Sequence, residues 1–221
     1  MNASLSASPP WEAQALWCFS YAVRKLDPTP APADEVALIA AASKGDGRAF
    51  DALYRRHVQL VFARLTRLLG PSPEREDLVQ QVFLELHRAL PSFRGEAPLG
   101  AFVHAITVRV GYDFLRRRAR SKSAMLRDEQ FAELVAPGSS PEAAARERQE
   151  LALAFARLDA LKPKKRLAFV LHVVEGFSLE HMARMLDTDA RTLGQRVAHA
   201  RRELAVMYQR EQLRAQAKGG Q

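Results

Sequence analysis

The chain has a single cysteine, Cys18, which rules out an internal disulfide and suits a reducing cytosol. Flanked by Trp17, Phe19 and Tyr21, it reads as a small hydrophobe, with a redox sensor as the alternative. No apolar run approaches the roughly 18 residues of a membrane span. The first residues lack a basic stretch followed by an unbroken apolar core. Neither a signal peptide nor stable membrane insertion is therefore expected, and the expected location is cytoplasmic. The six histidines, at 57, 87, 104, 172, 181 and 199, form no HExxH-like or CxxC-like ligand set. No paired carboxylates, nucleophile–base set or phosphate-cradling glycine loop stands out either. The expectation is a protein without metal or cofactor and without catalysis of its own.

Basic residues, in contrast, are abundant. Lys and Arg number 33 against 25 Asp and Glu, giving a formal net charge of +8. Such a surplus points to a polyanionic partner, nucleic acid before membrane, because clustered cations release counterions from phosphate. The plainer alternative is a solvated basic surface. Hydrophobic residues make up 48% of the 221, enough for one large or two small packed domains.

Residues 1–33 stand apart. The stretch WEAQALWCFSYAVRKL is followed by DPTPAPA, whose prolines forbid a continuing helix. Residues 11–26 are either an amphipathic docking helix or a stretch translated only on paper from an upstream start codon. From 34 onward the apolar spacing is helical. Val36, Ile39 and Ala40 are expected to line one short face. Phe50, Leu53, Tyr54, Val58, Val61, Phe62, Leu65 and Leu69 recur at three- and four-residue steps. Gly70 suits a helix end, and Ser72 with Pro73 suits the start of the next helix, which buries Leu78, Val82, Phe83 and Leu86. The loop PSFRGEAPLG leads to a fourth helix over about 99–118. No strand alternation appears, so the expected fold is all-α: two small helical domains on a flexible linker. The expected divisions are an extension at 1–33, a first domain at 34–120, a linker at 121–145, a second domain at 146–208 and a polar, fraying tail at 209–221.

The fourth helix ends in a charge run, Arg116, Arg117, Arg118 and Arg120, suited to tracking phosphates. In the second domain, Ser140 and Pro141 restart a helix. Ser178 can cap LEHMARML, Asp187 sits where that helix must stop, and Thr188 and Asp189 can cap the next. This is the helix-turn-helix pattern, in which the start of the second helix enters a major groove. With Leu193, Val197, Ala200 and Leu204 turned to the core, Arg191, Thr192, Gln195, Arg196, His199 and Arg202 remain for bases or phosphates. A solvated polar helix face is the competing reading.

Taken together, KGDGRAFDALYRRH, EDLVQQVFLELHRALPSFRGEAPL, DFLRRR, LKPKKRLAFVLHVVEGFSLEHMARML and RVAHARREL resemble the extracytoplasmic-function (ECF) sigma factors of bacterial RNA polymerase, in that family's order. The resemblance covers roughly 34–120 and 146–208. It implies a dissociable polymerase subunit that directs promoter-specific initiation: the first domain takes the melted minus-ten strand and the second reads the minus-thirty-five duplex. It implies core RNA polymerase and promoter DNA as partners, and an anti-sigma factor as a third. Asp77, Gln80 and Gln81 fall in the polymerase-binding segment, with Gln81 replacing the usual Glu. Phe93, Arg94 and Glu96 fall in the loop that receives a flipped base, and Arg109 stands where Asn often lines its pocket. Phe102 replaces a usual Trp, Gly194 a commonly basic residue, and Asp187 a frequent Gly. Two alternatives stay open: a self-sufficient helix-turn-helix regulator, and a sigma-like decoy that has lost promoter reading.

Overall fold

The computed structural model describes residues 34–95, 97–121 and 140–219, and every regular element among them is helical. Residues 34–121 belong to one compact unit and residues 140–219 to another. The expectations placed on residues 1–33, on Glu96 and on most of the 121–145 linker lie outside the described residues.

The first unit holds α1 (Glu35–Ser43), α2 (Gly47–Leu69), α3 (Arg75–Ala89), a 3-10 turn (Leu90–Ser92) and α4 (Leu99–Ser121). Asp46 starts α2 by accepting the Arg48 and Ala49 amides at 2.9 and 3.2 Å, satisfying donors that the first turn leaves open. Gly70 ends it at a φ of 78°. The core joins Leu53, Val61, Leu65 and Leu69 of α2 to Val82, Phe83 and Leu86 of α3 and Val103, Ile106 and Val110 of α4, all buried.

Two local expectations for this unit are corrected. On α1, Val36 is 75% exposed while Glu35 is buried, because Glu35 lies 3.2 Å from the buried His57 Nε2 of α2. A hydrogen-bonding partner inside outweighs the apolar pattern of so short a helix. α3 begins at Arg75, not Pro73, since the Ser72 hydroxyl donates to Glu74 and the Ser72 carbonyl accepts the Arg75 amide at 3.1 Å. Arg75 itself is buried, its guanidinium 4.1 Å from the Phe62 ring centroid.

The second unit holds α5 (Pro141–Ala160), α6 (Pro163–Phe169) running into a π-helical turn (Val170–Val174), α7 (Leu179–Met185) and α8 (Ala190–Gly219). Ser140 caps α5 through the Ala143 amide at 3.2 Å, so the stretch 140–145 is the entry to a helix and not linker. Phe155, Leu158, Leu167, Phe169, Leu171, Met182, Leu193, Val197 and Ala200 form the core. Among the described residues the tail is helical, with α8 running on to Gly219. Arg157 of α5 pairs with Glu211 at 2.5 Å and lies 5.2 Å from the Tyr208 ring centroid, holding that extension in place.

Candidate nucleic-acid interface

In the first unit, α3 turns Leu78, Val79, Val82, Phe83 and Leu86 inward. Asp77 and Gln80 are left exposed and Gln81 half-buried, and their i, i+3, i+4 spacing sets them on one outer face. Leu84, 57% exposed, and the exposed Arg88 continue that face. Gln81 Nε2 donates to Glu85 Oε1 at 3.4 Å, so Gln81 reaches along its own helix as well as outward.

After α3 the chain leaves the helix at Phe93, in extended conformation, and turns at Gly95, whose φ is 71°. Phe93 meets Phe102 of α4 with ring centroids 5.0 Å apart, so the loop and the helix make an aromatic pair at the unit's surface. Arg94 is exposed beside it. Arg109 lies two turns beyond Phe102 on α4, exposed, and its Nη2 is 2.5 Å from Glu85 Oε2. Arg116, another two turns along, lies 5.8 Å from the Tyr112 ring centroid and 3.9 Å from Asp113. Arg117 is exposed and Arg118 half-buried. Phe102, Arg109 and Arg116 thus share one stripe of α4, since seven residues return a helix to within about 20° of its starting direction. Glu85 and Tyr112 were absent from the sequence-based site. Glu85 is signalled only by its i+4 spacing from Gln81, and Tyr112 by its i+4 spacing to Arg116.

In the second unit, Ser178 caps α7 through the His181 amide at 3.1 Å. Phe177 stacks on His181 at 5.0 Å, and its carbonyl accepts the His172 Nδ1–H at 2.8 Å. This ties the start of α7 to the π-helical turn before it. The corner closes at Asp187, whose φ of 46° places it in the left-handed region that Asp tolerates better than most residues. Asp189 then caps α8, accepting the Thr192 amide at 2.6 Å. Hydrogen bonds from the Thr192 side chain and then its amide hold the Asp189 carboxyl below the usual range. Thr192 therefore serves the cap. Leu193, Val197, Ala200 and Leu204 are buried, and Arg191, Gln195, His199 and Arg202 share one exposed arc of about 80°. Arg196 sits half-buried on its flank. Gly194 is not on that arc: a Cβ there would lie 3.4 Å from Leu179 Cδ1, so it faces α7.

Residues 53–121 match the sigma-70 region 2 family, and residues 158–206 match the sigma-like domain of the response regulator PhyR. The ECF RNA polymerase sigma factor SigM of Mycobacterium tuberculosis is 35% identical over 173 residues, covering 77% of this chain and 83% of SigM. The chain belongs to the ECF sigma factor family. The ECF sigma-E factor of Escherichia coli is 28% identical over 170 residues, covering 74% of this chain and 88% of its own. Among solved structures, CnrH in complex with the cytosolic domain of CnrY aligns with a TM-score of 0.55 at 25% identity, covering 80% of this chain and 98% of CnrH. The sigma factor RpoE in complex with the anti-sigma factor NepR from Bartonella quintana aligns with a TM-score of 0.51 at 21% identity, covering 73% of this chain and 98% of RpoE, a likeness of fold. As in the sequence, no helix among the described residues is long and apolar enough to cross a membrane.

Proposed function

We propose that this ECF sigma factor binds core RNA polymerase through Asp77, Gln80 and Gln81 and directs promoter-specific initiation, leaving the chemistry to the polymerase. The first domain, 34–120, takes the melted minus-ten strand through Phe93, Arg94, Glu96, Arg109 and Arg116–Arg118. The second, 146–208, reads the minus-thirty-five duplex through Arg191, Thr192, Gln195, Arg196, His199 and Arg202, in the cytoplasm. The observation that carries this reading is the α8 arc: Arg191, Gln195, His199 and Arg202 are exposed together directly after the Asp187 corner. Arg and Gln are residue types that read guanine and adenine edges in a major groove, and Arg and His also hold phosphates. An anti-sigma factor is the protein partner proposed to hold this sigma factor inactive, as the family resemblance implies.

The test is binding of the purified chain to sigma-free core polymerase, beside the double substitution Asp77→Ala and Gln80→Ala. The expected result is tight binding by the native chain and a loss of about tenfold or more in the variant, the effect of removing an interface anchor. A folded chain that does not bind core would sink the reading, and residues 178–202 would then be the reading head of an independent regulator.

A further inference from the structure

Glu85 stands between the two candidate surfaces of the first unit. Its Oε1 accepts from Gln81 on the α3 face and its Oε2 from Arg109 on the α4 stripe. The carboxylate is the more fixed member of the ion pair, 25% exposed against 64% for Arg109, so the guanidinium is the outer group.

An exposed arginine on a DNA-facing helix is ordinarily a phosphate contact, blind to sequence. A carboxylate bonded to it changes this in two ways. It cancels the local charge and repels phosphate, and it engages the Nη2 end of the planar donor fork, restricting that plane while the remaining N–H groups stay available to a base. A restrained pair of donors matches the O6 and N7 acceptors of guanine. The Phe93–Phe102 pair lies two turns back along the same stripe, where an unstacked neighbouring base has an aromatic face to meet. We propose that Glu85 is a positioning residue that sets specificity, making Arg109 a reader of a guanine in the melted strand and not a phosphate clamp. This rests on the reading of the first unit as the minus-ten surface.

The experiment uses holoenzyme assembled from the full chain and core polymerase. It measures affinity and salt dependence for single-stranded minus-ten oligonucleotides varied one base at a time. The native protein is expected to favour guanine at one position by about tenfold. In Glu85→Gln that preference falls toward parity, binding of the other oligonucleotides strengthens, and the salt slope steepens by about 0.7, the increment for one added phosphate contact on a single strand. Arg109→Ala loses the preference without the steeper slope, and Glu85→Asp retains part of it. A Glu85→Gln holoenzyme with unchanged base preference and salt slope overturns the proposal. So does a native holoenzyme that selects promoters with no guanine preference at any melted position. Loss of core binding in Glu85→Gln also overturns it, by assigning the residue to the polymerase face. A native chain that never forms holoenzyme instead refutes the function proposed above, and this inference with it.

Discussion

Two glycines show how one residue type serves opposite needs. At Gly111 of α4 a Cβ would lie 2.7 Å from Leu68 Cδ2 and 3.4 Å from Leu65 Cδ2, inside the α2–α4 crossing where both leucines are buried. At Gly194 the nearest atom would be at ordinary contact distance. Alanine at a helix interior gains about 1 kcal/mol over glycine, while overpacking a closed core costs about 1–3 kcal/mol. Gly194→Ala is therefore expected to stabilise the chain by about 0.5–1 kcal/mol, and Gly111→Ala to destabilise it by about 1 kcal/mol net. Calorimetric unfolding of the two variants reads both signs, and stabilisation by Gly111→Ala would mean that Leu68 gives way freely. Gly194 in this light is a packing residue of the helix-turn-helix. Its absence from the exposed α8 arc was invisible in the sequence, where only the missing basic side chain could be seen.

At the scale of elements, periodicity and caps were legible and partners were not. The Asp187 corner, the Asp189 and Ser140 caps and the buried stripe Leu193–Val197–Ala200–Leu204 follow from local chemistry, and each stands where the sequence put it. The exceptions arise where a residue distant in sequence decides. Arg157 keeps the polar end of α8 helical from 54 residues away in sequence, and His57 draws Glu35 inward across 22. The Glu85–Arg109 pair, spanning α3 and α4, is of the same kind. The His57–Glu35 tie between α1 and α2 also has a pH signature. Burial, the dominant influence, holds the His57 pKa below its ordinary value of 6.5, against the attraction of Glu35. The unfolded chain then takes up a proton more readily than the folded one. The contribution of neutral His57 is present above about pH 6.5 and is lost as pH falls below it. The unfolding temperature of the first unit is expected to drop between pH 7 and pH 5, and to drop less in His57→Gln. A rise on acidification would show that attraction to Glu35 outweighs burial.

For the molecule as a whole, the order of motifs points to two helical units, and each unit has its own buried core. If the two cores are energetically separate, a cavity in one leaves the other intact, and the two activities proposed for the chain come apart. Leu53 in the first core and Leu193 in the second are both fully buried. Truncating a buried leucine to alanine costs about 2–5 kcal/mol through lost contacts and the cavity left behind. Leu53→Ala is expected to lower only the transition of the first unit and to weaken core polymerase binding. Leu193→Ala is expected to lower only that of the second, sparing core binding while abolishing the response to changes in the minus-thirty-five sequence. Calorimetry on the full chain, followed by core binding and promoter selection with each variant, separates these outcomes. Parallel loss of both transitions in either variant would mean that the two units unfold as one.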